Sequence, residues 1–350
     1  MPHTQNLLCL DIGSGTQDVL YFMPDRELEN CPKFILPSPA RMVGRQIDDL
    51  RLKEKDVYLY GHNMGGGFAS AVRRHLQAGL RVAAQPEAAL ALGDDLNRVR
   101  AMGIELIEDC PLGYSPVHLA DFDPGFWRSF LGMAGLEYPD GVLACVQDHG
   151  FHPGKSNRIS RFKFWDRFLE TDQGRVEKLL FTSPPSMMTR LTSLKQCTGP
   201  GMVSDTGAAA LLGALFDPGV EELSRRRGVC VVNVGNSHTV AFLVHDGRVR
   251  SIYEHHTGLL NGQKLWEHLT RFRKGELGNE EVFEDNGHGC SVGTMAEVPG
   301  GFTPVLVLGP RRSMLEGFEA EFVSPGGDMM LAGAFGMLKG AGMTKCICGE

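Results

Sequence analysis

Two stretches of the chain share one pattern of apolar and polar positions. The first, LLCLDIGSGTQDVLYF (residues 7–22), is apolar up to Asp11, turns through glycines and becomes apolar again. The second, GVCVVNVGNSHTVAFLV (residues 228–244), is apolar up to Asn233, turns through Gly235 and returns to apolar residues. Short apolar runs bounded by turn residues predict buried strands. The first stretch therefore predicts strands over 7–12 and 19–22 around a hairpin-like turn, and the second repeats the unit. The run Val57 to Tyr60 predicts another strand, entering the glycine-rich opening of a helix in YGHNMGGGFASAV (residues 60–72). Val142 to Val146 predicts a strand that ends in polar residues. RISRFKFWDRFLE predicts a helix with Phe162, Trp165, Phe168 and Leu169 on one packing face. FTSPPSMMTRL, after it, reads as an irregular crossing towards the second half.

The first turn raises a chemical question. Glycine lets a backbone approach a ligand closely, and successive N–H groups in such a turn form an anion-binding hollow. Asp11 beside it is a suitable carboxylate for Mg²⁺, directly or through water. An ordinary capped hairpin fits the same residues.

The chain has 350 residues, is 42% hydrophobic and 22% charged, and carries a net charge of −7. This is a globular composition, long enough for two domains. There is no basic block, so neither nucleic acid nor a membrane surface is expected as a partner. MPHTQN is polar and Asp11 cuts the apolar run after it, so no signal peptide is expected. The nine cysteines are scattered and odd in number, and Cys9, Cys145 and Cys230 fall in apolar runs. A cytoplasmic protein without disulfides is the expectation.

The paired units resemble the superfamily of actin, sugar kinases and Hsp70 chaperones. LDIGSGTQDV is similar to its phosphate-1 loop, D-x-G-x-x-T, through Asp11, Gly13 and Thr16, and VNVGNSHTV is similar to the phosphate-2 loop. SDTGAAALLGAL (residues 204–215) resembles the small-residue connecting helix before that loop. PVLVLGPRRSML (residues 304–315) resembles the adenosine loop, and GGDMMLAGAFGML (residues 326–338) the second connecting helix. Small side chains suit helices that cross closely. The resemblance implies an α/β fold: two RNase H-like, actin-like ATPase domains around a nucleotide cleft, spanning 1–200 and 201–350. ATP and Mg²⁺ are the implied cofactors. Asp11, Gly13, Ser14, Gly15 and Thr16 would hold the nucleotide from one side. Asn233, Gly235, Asn236, Ser237 and His238 would face them, with Gly309 and Arg311 near the adenosine.

Some residues depart from that pattern. Asn233 stands where the second loop usually starts with Asp, and Gly309-Pro310 replaces a glycine pair. A neutral Asn does not orient a metal-bound water as a carboxylate does, although Asn, Ser and His still donate hydrogen bonds to an anion. More narrowly, the sequence resembles a prokaryotic family whose members in places carry the label "pyruvate formate-lyase activating enzyme". Radical enzymes of that kind need a C-x₃-C-x₂-C triplet for an iron–sulfur cluster. The sequence has none, and Cys346 and Cys348 in KCICGE have the wrong spacing. A radical S-adenosylmethionine enzyme is therefore not expected.

Other candidate residues lie apart in sequence. By the resemblance Asp205 is a catalytic base facing the cleft; by local pattern it is a helix N-cap. VQDHG resembles a substrate-binding strand end of carbohydrate kinases, which makes Gln147, Asp148 and His149 candidate contacts, as opposed to a polar surface loop that also holds His152. GFHPGKS is one residue short of a P-loop. His62 and Asn63 are candidate substrate contacts in a glycine-rich strand-to-helix turn, or simply part of a flexible turn. His255 and His256, with Asp285, His288 and Cys290, offer N, O and S ligands for Zn²⁺ or Fe, or line a cleft. Three functions follow as expectations. One is an ATP-binding phosphotransferase or ATPase acting on a small molecule. Another is a nucleotide-dependent switch or activator read by a partner enzyme. The third is a metal-dependent hydrolase built on the His-rich loops.

Overall fold

The computed structural model describes residues 5–151, 157–293, 298 and 300–343. His152, most of GFHPGKS, Cys346 and Cys348 lie outside the described residues. The chain opens as an antiparallel meander of β1 (Leu7–Ile12), β2 (Thr16–Phe22) and β3 (Lys33–Pro37). A separate four-stranded parallel sheet follows: β4 (Val57–Gly61), β5 (Val82–Ala84), β6 (Ile104–Leu106) and β7 (Ser115–Leu119), in the order β6-β5-β4-β7. The chain then returns to the first sheet with β8 (Gly141–Val146), β9 (Leu180–Phe181) and β10 (Val203–Asp205). That sheet runs β3-β2-β1-β8-β10-β9, with β8 parallel to β1 and β10 parallel to β8.

The second half builds one further sheet from β11 (Val229–Val234), β12 (His238–His245), β13 (Arg248–His256), β14 (Gly289–Val292), β15 (Val305–Leu308) and β16 (Glu321–Phe322). Its order is β14-β13-β12-β11-β15-β16. Its first three strands form an antiparallel meander, and β15 joins β11 in parallel, as β8 joins β1. Five strands of each sheet thus repeat one order, with the sixth added at opposite edges (β9 beside β10, β14 beside β13), and the molecule is a mixed α/β protein. Their apolar faces share one core, in which Leu143 and Val203 pack in the same cluster as Val231 and Phe242. Among the described residues no helix is long and apolar enough to cross a membrane.

Two helices seal this core, Thr206–Ala214 and Ala332–Met343. They cross so closely that a Cβ on Gly336 would sit 1.8 Å from the Ala209 carbonyl oxygen, and one on Gly213 would sit 2.0 Å from that of Ala332. The small residues read from the sequence are therefore required at the crossing. The second helix begins later than its pattern suggests. Gly326 and Gly327 adopt φ of 57° and 82°, which breaks the helix start. The charged aromatic segment forms a helix over Asn157–Thr171. Phe162, Trp165 and Phe168 are buried, as expected of one packing face.

Candidate functional site

The two predicted turns meet. In the first, the Gly13 N–H donates to the Thr16 carbonyl at 2.9 Å; in the second, the Gly235 N–H donates to the His238 carbonyl at 2.9 Å. The turns have the same internal bond because each joins an antiparallel strand pair through the same short loop. They face each other across a cavity of about 310 Å³, and Ser14 Oγ lies 3.3 Å from Ser237 Oγ. Asp11, Gly13, Ser14, Gly15 and Thr16 line it from the first sheet. Asn233, Gly235, Asn236, Ser237 and His238 line it from the second. Leu308, Gly309, Pro310, Met329 and Met330 make an apolar wall. Gly309 has φ of 102°, and a Cβ there would meet Asn233 Oδ1 and the Val234 carbonyl at 2.5 Å. Arg311 is exposed and does not line the cavity; only its backbone N–H, bonded to the Val234 carbonyl at 3.0 Å, ties it to the second turn.

Two carboxylates sit together on the first sheet. The hairpin register places Asp18 opposite Asp11, and both line the cavity. Burial pushes both carboxyls up to about 7, helped at Asp11 by the Asp18 charge and, at Asp18, opposed by a Thr16 hydrogen bond and helped by the Asp328 charge. The Cys145 thiol donates to Asp11 Oδ1 at 3.3 Å, whereas Asp18 Oδ1 is buried without a partner. In the second hairpin Asn233 pairs with Val240, so that side of the cleft has no such pair. Asp18 was readable from the hairpin alone, since a turn closed between residues 13 and 16 sets Asp11 opposite it.

These shifts predict a pH response. In the unfolded chain Asp18 ionises near 3.8, and in the folded one near 7. Between these values the folded state holds the extra proton. This part of the stability is therefore full at low pH, is lost as pH rises from about 4 to 7, and stays lost above. Asp18→Asn is expected to raise the melting temperature most at about pH 8, where the wild-type carboxylate is ionised, and clearly less at about pH 5, where only part of the loss has occurred. Thermal unfolding at the two pH values checks this. An equal shift at both would rule out a buried ionisation as its source.

Asp205 does not line the cavity. Its side chain is 1% exposed, and it caps the Thr206–Ala214 helix through a bond from the Gly207 N–H at 2.9 Å. Arg161 grips both its oxygens, Nη1 at 2.5 Å and Nη2 at 2.9 Å. The cap expected from the local pattern is present, and a buried carboxylate with both oxygens bonded to a guanidinium has no open face for a substrate. Arg161 also bonds Glu254 through Nε at 2.8 Å and the Asp148 carbonyl at 2.8 Å. It comes from the first half of the chain and pins β13 of the second.

The candidate substrate contacts divide. Gln147 lines the cavity and donates to Glu254 Oε1 at 3.0 Å. Asp148 is 4% exposed and accepts from the Gly150 and Leu191 N–H groups, which makes it a buried loop brace. His62 faces Glu87 at 3.2 Å, away from the cavity, and the buried Asn63 donates to Thr189 Oγ1 at 3.1 Å. Neither lines it, because the chain turns into the cleft only at Gly65, Gly66 and Gly67. Arg190 and Asp121 also line the cleft and pair bidentately at 2.7 and 2.9 Å. Their partners lie far apart in sequence, and no local pattern marked them.

The histidine cluster also differs from expectation. Alternation along β13 sends His255 to one face and Glu254 and His256 to the other. His255 is fully buried and bonds Asp285 at 2.9 Å. Cys290 lies opposite Tyr253, on the His255 side. His288 instead joins His149, His238 and His256, with ring centroids 4.6–5.2 Å apart between His288 and each of the other three. The proposed ligand set of His255, His256, Asp285, His288 and Cys290 does not converge; the groups that do are His149, His238, Glu254 and His288. Burial pushes His238 down to about 4 and His288 down to about 3. Burial raises the Glu254 carboxyl, but Arg161 and then the histidines pull it well below the usual range.

The family described as "Putative pyruvate format-lyase activating enzyme (DUF1786)" matches residues 64–314, most of the chain. The chain belongs to this family. The matched span covers β5, β6 and β7 of the four-stranded sheet, the cavity-lining glycines 65–67 and 235, and all four converging residues, and starts after β4 and the first glycine turn. No curated protein matches the chain. Among solved structures, the ethanolamine utilization protein EutJ from Carboxydothermus hydrogenoformans is 11% identical, with 97% of this chain and 91% of that chain covered and a TM-score of 0.28. A likeness that distant says nothing of function.

Proposed function

We propose that this family member binds Mg·ATP between the two glycine turns, in an actin-like arrangement of two RNase H-like halves. The observation that carries this reading is the pair of equivalent hairpin turns facing each other over one cavity. Such turns offer backbone N–H groups to a polyphosphate from both sides. The repeated sheet order supports two related halves. Asp11 and Asp18 fit a hard divalent cation: one carboxylate oxygen is buried without a partner, and two neighbouring buried carboxyls gain from a cation that offsets their charge. Bound Mg²⁺ would neutralise phosphate charge. Gly309, Pro310, Met329 and Met330 would pack on the base. Ser14, Asn236 and Ser237 would donate to phosphate oxygens.

Between phosphotransferase and switch, the pinned Asp205 favours the switch, since the residue expected as general base has both oxygens engaged. In that version nucleotide binding draws the two turns together and a partner protein reads the closure. Calorimetry with Mg·ATP tests the reading. Binding is expected, and Asp11→Ala should weaken it at least tenfold, about 1.4 kcal/mol, by removing a cation-facing carboxylate. Unchanged affinity in that variant would remove Asp11 from the nucleotide site.

A further inference from the structure

The chain holds a second polar centre, beside the nucleotide cleft and distinct from the Asp11–Asp18 pair. His149, His238, Glu254 and His288 each offer one ligand atom, and these atoms lie within 4.8 Å of one another. We propose that they bind one first-row divalent transition cation, of the zinc type, which clamps the two six-stranded sheets together.

Four observations carry this. The first is spacing. Ligand atoms around one ion with bonds of ~2.1 Å lie at most ~4.2 Å apart. In the tetrahedron that zinc prefers they lie ~3.4 Å apart, so the four groups, now within 4.8 Å of one another, need close by at most ~1.4 Å to enclose it.

The second is satisfaction. Both ring nitrogens of His288, and Nε2 of His238, are buried without any hydrogen-bond partner. His288 is 3% exposed. Buried polar atoms are normally paired, and a metal ion would use the one free lone pair of each ring.

The third is charge. Arg161 is flanked by Asp205 and Glu254, all three at most 1% exposed, so two negative charges meet one positive charge. Of the two carboxylates it is Glu254 that turns an oxygen, Oε1, towards the imidazoles; His288 Nδ1 is 4.0 Å from it. A carboxylate at the centre repels an anion and attracts a cation. Imidazole ligands select zinc, iron, nickel or copper over magnesium and calcium.

The fourth is placement. His149 follows β8 of the first sheet. His238 starts β12, Glu254 lies in β13 and His288 precedes β14, all in the second sheet. Register sets His238 opposite His256, with Glu254 two residues before it on the same face. Three ligands are thus rigidly placed on one sheet, and the fourth arrives from the other. His238 also lines the nucleotide cavity, and Gln147, which lines it too, is bonded to Glu254. The metal would therefore fix the second turn from behind.

The test uses the full chain, without nucleotide, so its outcome is separate from that of the ATP reading. The protein is stripped with a chelator and dialysed against Zn²⁺, and the bound metal is measured by elemental analysis and by competition with a chromogenic chelator. One equivalent per chain is expected. His288→Ala and His149→Ala should each weaken binding by at least about 100-fold, the upper end of what loss of an outer-shell partner costs. Substituting Co²⁺ should give visible d–d bands that vanish in both variants. His149 is only half-buried and starts no element, so His149→Ala decides the matter if His288→Ala fails to fold. Absence of stoichiometric binding, or equal affinity in His149→Ala and wild type, would overturn the site. Equal affinity would place the metal elsewhere on the chain.

Discussion

Replacing Arg161 with methionine is expected to destabilise the protein by about 3–5 kcal/mol, the usual cost of stripping one partner from a buried ion pair. Methionine keeps much of the volume and removes only the charge and the donors. Asp205 and Glu254 would then lie buried with no cation, and the Asp148 carbonyl would lose a donor. Urea unfolding followed by circular dichroism measures the loss. The triple variant Arg161→Met, Asp205→Asn, Glu254→Gln removes the charges together. It should recover at least half of the loss, because a buried ionic network costs desolvation in every member. A single-variant cost under about 1 kcal/mol would mean that water or another group reaches the carboxylates. The pair of measurements thus separates the strength of the network from the penalty of leaving it incomplete.

The second large effect concerns the helix crossing. Gly336→Ala places a methyl group 1.8 Å from the Ala209 carbonyl oxygen and 2.7 Å from the Gly213 nitrogen. Both obstacles are backbone, so no side chain can swing aside. The helices must separate, at a cost of at least about 3 kcal/mol, the upper end for overpacking a core. The same shift would move Met330, Ala332 and Gly333, which line the cavity just before this crossing. A Cβ on Gly333 would already lie 2.1 Å from Asp11 Oδ2. Any folded Gly336→Ala protein is therefore expected to bind Mg·ATP more weakly than wild type. Thermal unfolding and calorimetry on one preparation check both. Wild-type stability would show that the crossing is looser than its geometry.

What could be read beforehand was local. The two hairpins were legible because apolar period and turn chemistry coincide within sixteen residues or so. The small-residue helices were legible because Ala and Gly announce close approach. What failed was anything that depended on distant partners. In sequence, Asp205 as a helix cap and Asp205 facing a cleft look alike; only Arg161, 44 residues away, distinguishes them. Glu254 stood unnoticed between conspicuous histidines, although its alternation with His255 along a strand sorts the cluster into two faces. His62 and Asn63 were drawn towards the cleft by the glycines after them, yet those glycines alone reach it. The parallel sheet of residues 57–119 showed itself only through its first strand, since β5 and β6 have three residues each.

Arg161 also has a consequence in time. Its helix emerges from the ribosome well before either counter-charge, and Glu254 follows it by 93 residues. At ordinary synthesis rates of ~5–20 residues per second, the guanidinium waits on the order of ten seconds for its last partner. β10 with its Asp205 is made about half-way through that interval, 44 residues after Arg161, and Val231 and Phe242 of the second sheet, which complete the shared core, come later still. The nascent chain therefore exposes an unmatched charge until Asp205 is made and an open apolar face until the second meander is made, and a ribosome pause between residues 161 and 205 would lengthen both exposures.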